Sequence, residues 1–262
     1  MNIALHRITA VMLRYLMIER RNYLRFVESL FWPTMDIMLW GLTSVWMEQQ
    51  QVKLPQIVLV MMTCLVLWSI VSRAQLEIVM PLLEELWQRS LITLFSTPLN
   101  CTEWIIGLML NGLIKTAFVF CFGAAVVWLL YALNVFVVGW MMFPYALSLM
   151  LFGWAVGFLG AAFVIYYGQK AQNVAWMLSF VFAPVSGIFY PIAILPYWAQ
   201  KIAWALPLSY AFEGMRSVIF SGTLMPEYLI ISLLLSLFYL LITISLFVFF
   251  FQRSRRFGFD RL

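Results

Sequence analysis

The 54 residues from Thr116 to Gln169 contain no charged side chain. A helix crosses the hydrocarbon core of a membrane in ~20 residues, so this stretch is long enough for two crossings with a turn between them. The whole chain is 65% hydrophobic and only 10% charged, whereas ordinary soluble domains have about 25% charged residues. These features exclude a soluble globular domain and predict a polytopic membrane protein built from α-helices.

The apolar segments predict a single all-α membrane domain over residues 1–262 with six transmembrane helices. The predicted spans are residues 29–47, 54–72, 104–133, 142–167, 174–190 and 228–252. Within the fourth span, Gly153, Gly157 and Gly160 lie three and four residues apart. Small residues at this spacing indicate a face where another helix approaches closely.

Two amphipathic segments are predicted to lie at the cytoplasmic surface. Residues 1–27 have apolar side chains on one helical face and arginines on the opposite face, which is typical of an interfacial helix. Residues 82–95 form the second amphipathic helix, with leucines and Trp87 at helical spacing, and Pro98 follows its end. On the residues alone, the apolar face of this second helix fits a protein partner or a lipid surface equally well.

Three prolines interrupt the apolar stretch between the fifth and sixth spans. Pro191, Pro196 and Pro207 lack a backbone donor and prevent a continuous helix. Residues 191–221 therefore have room for two short helices only, roughly Tyr197–Ala205 and Ser209–Ser221. Because neither is long enough to cross a membrane, the pattern predicts a re-entrant helix pair, shielded by protein or water, on the outer side.

The distribution of Lys and Arg predicts the orientation. Twelve of these residues lie in the N-terminal helix, around residues 82–95, in the loop 168–173 and in the C-terminal tail, whereas the outer segments contain only Lys53, Lys201 and Arg216. The positive-inside rule then places both termini in the cytoplasm.

Several function classes have no support in the sequence. The chain has no Gly-x-x-x-x-Gly-Lys-Ser/Thr phosphate loop, so it has no recognisable means of hydrolysing ATP. Three scattered cysteines and one histidine provide neither a disulfide framework nor a metal site. No nucleic-acid-binding module is present, and the net charge of +5 is more typical of contact with anionic lipid.

A motif in the proline-interrupted stretch resembles the membrane subunits of type-2 ABC exporters, nearest to the branch that exports drugs, nodulation signals and cell-envelope glycans. It consists of Gly187-x-Phe189-Tyr190-Pro191, Leu195-Pro196, Pro207-Leu208-Ser209-Tyr210 and Glu213-x-x-Arg216. The order of the spans also agrees with this family over nearly the whole chain.

The resemblance implies a permease subunit that is not itself an enzyme. It would form a homodimer in the cytoplasmic (inner) membrane of a bacterium and work with two copies of a separate ABC ATPase subunit. ATP and Mg²⁺ would bind to that partner, and this chain would hold no cofactor. The substrate would be amphipathic: a drug, a lipid or a lipid-linked glycan.

The resemblance also implies three groups of functional residues. The ATPase-coupling residues are Leu83, Glu84, Glu85, Trp87, Gln88, Arg89 and Leu91. The outer-gate residues are Phe189, Tyr190, Pro191, Pro196, Pro207, Tyr210, Glu213 and Arg216. The substrate-path residues are Asp36, Trp40, Trp176 and Phe180.

Two charged residues lie within predicted spans, where an ionisable group is costly. Lys115 is expected to extend its ammonium group to the membrane interface. Asp36 has a shorter side chain, so we expect it to face the protein interior, where it is paired or hydrated. Glu213 and Arg216 form an i, i+3 pair that fits either a gate or a plain exposed ion pair.

An ion-coupled secondary transporter or channel, working without an ATPase, is the alternative from another class. Such proteins usually have ionisable groups or interrupted helices at the membrane midplane, and often an internal repeat. In this chain the interrupted helices are predicted at the outer end, and the sequence shows no repeat.

The charge count predicts the sidedness of three lysines. Single cysteines replacing Lys53, Lys170 or Lys201 in a variant without the native cysteines are to be treated with an impermeant thiol reagent in intact cells. We expect labelling at positions 53 and 201, and labelling at 170 only after permeabilisation. Labelling of 170 but not 201 in intact cells would reverse the proposed topology.

Overall fold

The computed structural model describes residues 4–21, 23–50, 57–223 and 225–256. These residues form ten α-helices and four short 3₁₀ helices. The α-helices are α1 (Leu5–Arg21), α2 (Tyr23–Gln50), α3 (Ile57–Trp87), α4 (Leu91–Ser96), α5 (Cys101–Tyr131), α6 (Met142–Tyr167), α7 (Gln172–Phe182), α8 (Tyr197–Ala205), α9 (Pro207–Ser221) and α10 (Pro226–Arg256). The 3₁₀ helices are Val135–Met141, Gly168–Ala171, Ala183–Val185 and Ile192–Ile194.

Within the described part of the chain, four segments are long and apolar enough to cross a membrane. They are Val58–Trp87, Cys101–Tyr131, Gly139–Val185 and Pro226–Arg255. Together with the all-helical fold, they agree with a multi-pass membrane protein. Helix α2, which contains the predicted span 29–47, is not among these segments, and the 11-residue α7 lies in the same segment as α6. The count of six spans therefore stays a prediction.

Helices α3 and α6 form the centre of the structure, and glycines allow them to pack closely. A β-carbon built on Gly153 would lie 2.7 Å from the carbonyl oxygen of Val71, and one built on Gly157 would lie 2.9 Å from that of Gln75. These distances are too short for any side chain larger than hydrogen. The close helix approach predicted from the glycine spacing is therefore confirmed, and α3 is the partner.

A buried serine cluster joins two other helices, α9 and α10, to this centre. The hydroxyl of Ser148 in α6 lies 2.6 Å from that of Ser232 and 3.1 Å from that of Ser236, both in α10. Ser232 also donates to the carbonyl oxygen of Pro207, the first residue of α9, at 2.9 Å. Hydrogen bonds between apolar helices stabilise their packing where no water competes for the hydroxyl groups.

The second predicted amphipathic helix, residues 82–95, differs from the structure. Residues up to Trp87 continue the long helix α3, and only Leu91–Ser96 form a separate short helix, α4. Arg89 has a left-handed backbone with φ of 52°. The Ser90 amide donates to Glu85 O and the Arg89 amide to Leu86 O, which is the Schellman pattern that ends a helix. The prediction missed this end because glycine, not arginine, usually occupies the left-handed position.

The predicted bounds of several other helices are closer to those in the structure. Helices α6 and α8 have the predicted residues, and α9 begins two residues earlier than expected, because proline suits the first turn of a helix. The predicted interfacial helix 1–27 corresponds to α1, which ends at Arg21 before α2 begins at Tyr23. Helix α2 extends to Gln50, into the predicted outer loop, whereas Lys53 of that loop and the tail residue Arg261 lie outside the described residues.

Replacing Gly157 with leucine should separate α3 from α6. The new side chain would overlap Gln75 O and Ile78, so we expect a loss of ~3 kcal/mol or more in stability. Thermal unfolding of the detergent-solubilised protein measures this loss. Ala125, an exposed residue of α5, provides the control, since Ala125→Leu adds a similar bulk without overlap. Equal unfolding temperatures for both variants would contradict the proposed packing.

Candidate functional site

A cavity of about 420 Å³ lies between α2, α3 and α7 and reaches α1 and α5 at one end. Aromatic side chains form much of its wall, and ionisable side chains lie at that end and along α2. The aromatic residues are Tyr15, Trp32, Trp68, Trp176 and Phe180, and the ionisable ones include Glu19, Glu28, Asp36, Arg73, Glu77, Glu84 and Lys115. The cavity therefore combines a broad apolar surface with fixed charges.

An ion-pair network joins three helices at the charged end of the cavity. The Lys115 ammonium group lies 2.9 Å from Glu77 Oε2 and also pairs with Glu19 Oε2. Arg73 Nη2 lies 2.7 Å from the other oxygen of Glu77. The network thus connects α1, α3 and α5 through largely buried side chains. This differs from the expectation for Lys115, because its ammonium group is directed to two carboxylates of this chain.

Asp36 lines the cavity but is not part of this network. Its side chain is exposed and forms no ion pair with any residue that the structure describes. Trp176 and Phe180 line the same cavity, so three of the four predicted substrate-path residues occur together. Trp40 does not line it, and stacks instead on Phe189 with ring centroids 4.4 Å apart.

A second polar network surrounds Glu85, which is 1% exposed. Arg14 Nη2 lies 2.7 Å from the carboxylate, and the Tyr15 hydroxyl donates to it at 3.0 Å. The Trp104 indole N–H donates to the Tyr15 oxygen at 3.1 Å, and Ser90 donates to the second carboxylate oxygen. These contacts attach α1 to the end of α3 and to α5.

The Tyr15 hydroxyl remains a donor in this network. Burial, and next the adjacent Glu85 carboxylate, raise the pKa of Tyr15 above its ordinary value. The phenol therefore stays protonated, and can donate to Glu85, throughout the physiological pH range.

The predicted ATPase-coupling residues divide into two sets. Leu83, Glu84, Glu85 and Leu91 are buried within this chain, so their side chains do not form the expected exposed surface. This differs from the prediction because the apolar face of residues 82–91 packs against the rest of the domain. Trp87, Gln88 and Arg89 are exposed. We call these three residues, with the exposed Ile92 and Thr93, the α3–α4 corner.

Trp87 connects the α3–α4 corner to the cavity. Its indole N–H donates to Gln172 Oε1 at 3.2 Å, and its ring makes an edge contact with Trp176 at 6.5 Å between centroids. Trp176 in turn lines the cavity. One aromatic contact therefore separates an exposed corner from the cavity wall.

The predicted outer-gate residues Glu213 and Arg216 stabilise a loop. The two side chains pair at 2.8 Å. Arg216 Nη2 donates to Gly187 O at 2.7 Å, and the Ile192 amide donates to Glu213 Oε1 at the same distance. Of the two readings of this pair, the plain exposed ion pair does not fit, because Arg216 is buried and both residues bind the backbone of the Gly187–Ile192 loop.

The remaining outer-gate residues lie on or beside this loop. The Tyr190 hydroxyl donates to Pro184 O, and Phe189 contacts Trp40 as described. Pro191 and Pro196 precede short helices, and Pro207 begins α9. Tyr210 contacts Trp204 at 5.0 Å and Tyr228 at 5.9 Å between centroids.

Sequence reasoning missed Glu77, Glu19 and Gln75. Gln75 donates to Ala175 O and accepts from Ser179, which attaches α7 to α3 and completes the cavity wall. The i, i+4 spacing of Arg73 and Glu77 is a local signal for part of this arrangement. Pairing of Lys115 with Glu19 and Glu77 is a tertiary contact with no local signal.

Comparison with known families gives a match over most of the chain. A family model described as ABC-2 type transporter matches residues 9–220. The matched range contains the cavity, the α3–α4 corner and the Gly187–Ile192 loop. A search of the curated proteins found no match.

The Lys115 network predicts that Lys115→Met is more damaging than Asp36→Asn. Without the ammonium group, Glu19 and Glu77 have one cation fewer in largely buried surroundings. We expect this loss to lower the free energy of unfolding by ~2 kcal/mol or more. Asp36 has no ion pair to lose among the described residues. Thermal unfolding in detergent compares the two variants. If Asp36→Asn is the more destabilised, the network does not stabilise the fold.

Proposed function

Because this chain belongs to the ABC-2 type transporter family, we propose that it is the permease subunit of an ATP-driven exporter. The family assignment makes it the membrane subunit of an ABC transporter, not a catalytic one. Export, as opposed to import, is the part that we add. The family also implies an ABC ATPase partner, on which ATP and Mg²⁺ would bind.

The connection from the α3–α4 corner to the cavity is the observation that carries this proposal. Helix α3 runs without interruption from the cavity wall at Trp68 to Trp87 at the corner. A force applied to Trp87 would act along this helix and, through the edge contact, on Trp176. Closure of the ATPase would then change the shape of the cavity.

Helix α1 would move together with the corner. Glu85, near the end of α3, binds Arg14 and Tyr15 of α1, and Lys115 binds Glu19 of the same helix. We propose that α1 lies on the cytoplasmic face and transmits the same movement to α5.

We further propose a homodimer that works with two ATPase copies in the cytoplasmic membrane of a bacterium, with both termini in the cytoplasm. The cavity wall exposes Trp32, Trp176 and Phe180, so a second copy of the chain could complete the substrate path. In this arrangement α8 and α9 form a re-entrant outer gate. Glu213 and Arg216 would fix the shape of that gate.

The proposed substrate is amphipathic. The aromatic wall suits an apolar body, and the charged end and Asp36 suit a polar group. An ion-coupled transporter without an ATPase is the alternative, and the buried, ionisable Lys115 network is the observation that favours it. ATPase dependence of transport separates the two.

Truncation of Trp87 should separate the permease from its ATPase. An aromatic anchor at an interface often contributes 2 kcal/mol or more of binding, which corresponds to roughly a thirtyfold change in affinity. We expect Trp87→Ala to insert normally but to lose the ATPase on purification and to transport poorly in vesicles. Retention of the ATPase is measured by co-purification.

Trp140, an exposed tryptophan in the turn before α6, serves as the control. Trp140→Ala removes the same side chain at a distant surface and should keep both the ATPase and transport. If Trp87→Ala also keeps both, the α3–α4 corner is not the coupling site. If the wild-type chain transports without any ATPase and responds to an ion gradient, the exporter proposal fails.

A further inference from the structure

We infer that the cavity between α2, α3 and α7 binds an amphipathic organic cation, an inference that rests on the proposed function and specifies its substrate class. The expected ligand has a protonated or quaternary ammonium group, or a comparable onium centre, attached to an apolar body.

The volume of the cavity and its aromatic wall suit the apolar part of the expected ligand. Its volume of about 420 Å³ lies within the ~300–1,000 Å³ typical of small-molecule sites. Trp68 and Phe180 meet edge to face at 6.4 Å, and Trp176 and Trp32 also line the wall. Aromatic faces attract cations as well as apolar groups.

The charged residues that line the cavity favour a positively charged ligand. Among the described residues that line it, five are carboxylates and two are cations. Both cations, Arg73 and Lys115, are already paired with Glu77 and Glu19. Neither of these two cations is paired with the cavity carboxylates Glu28 and Asp36.

Two of the carboxylates have no ion pair with a described residue. Glu28 and Asp36 are both exposed, and both lie on α2. Trp32 is four residues from each, so the three side chains follow one another at four-residue spacing along the helix. Eight residues of α-helix rise ~12 Å, so Glu28 and Asp36 lie on either side of Trp32 along the helix, and a cationic group over the Trp32 ring would be attracted by both carboxylates. This arrangement offers both kinds of interaction that stabilise an organic cation in an apolar site.

The same arrangement opposes an anionic substrate. A phosphate-linked glycan or an anionic lipid would place negative charge beside Glu28 and Asp36, and juxtaposed like charges at an interface lower affinity. Of the three amphipathic classes that the family resemblance allows, the structure favours a cationic drug-like molecule.

Two ions of equal size and opposite charge test this inference. Tetraphenylphosphonium and tetraphenylborate have the same apolar shape. Their binding to the purified chain in nanodiscs of zwitterionic lipid is measured by equilibrium dialysis, and binding to empty nanodiscs is subtracted. We expect saturable binding of the phosphonium and no saturable binding of the borate.

Substitutions locate the binding in the cavity. The double variant Glu28→Gln, Asp36→Asn should weaken phosphonium binding about tenfold, and Trp32→Leu about fivefold. Glu227→Gln and Trp46→Leu are the matched controls. Both residues are exposed and neither lines the cavity, so these two variants should bind like the wild type.

Two results would overturn the inference. One is equal binding of the borate and the phosphonium, which would make the cavity a purely apolar site. The other is phosphonium binding that the double carboxylate variant does not weaken. The assay contains neither ATP nor ATPase, so its outcome is independent of whether the proposed ATPase coupling is correct.

Discussion

The close packing of α3 on α6 is the constraint on which the rest of the structure depends. Backbone contact at Gly153 and Gly157 places the whole length of α3 along the centre of the domain. Because α3 continues to Trp87, a single helix forms the cavity wall and ends at the exposed corner. A larger residue at either glycine would move the cavity and the corner at the same time.

Polar contacts then attach the outer elements to this centre. Gln75 attaches α7, Glu85 attaches α1, and Lys115 joins α5 to both α1 and α3. Each contact is largely buried. Breaking it leaves a buried polar group without a partner, which lowers the free energy of unfolding. We therefore expect α1, α3, α5 and α7 to move as connected units, as coupled motion between an ATPase and a substrate path requires.

The sequence predicted the elements whose signals are local. The bounds of α6 follow from the turn-forming residues around Gly139 and from the loop 168–173, and those of α8 from the flanking prolines. The end of α3 could not be predicted, because Arg89 adopts a conformation that glycine usually provides. The pairing of Lys115 was also beyond prediction, since its partners Glu19 and Glu77 are distant in sequence. Burial of Leu91 depends on tertiary packing in the same way.

The cavity contains carboxylates that pair with cations of this chain and carboxylates that have no ion pair with a described residue. We assign the first kind to stabilising the fold and the second to binding the substrate. Glu19 and Glu77 are largely buried and paired with cations of this chain, so their charge is neutralised and their role is to connect helices. Glu28 and Asp36 are exposed on α2, and no described residue pairs with them. Asp36 lies in the predicted span 29–47, where a charge is costly unless water or a ligand compensates it, and Glu28 lies one residue before that span. Their position beside Trp32 in the cavity wall is most simply explained if a cation from outside the chain supplies that compensation.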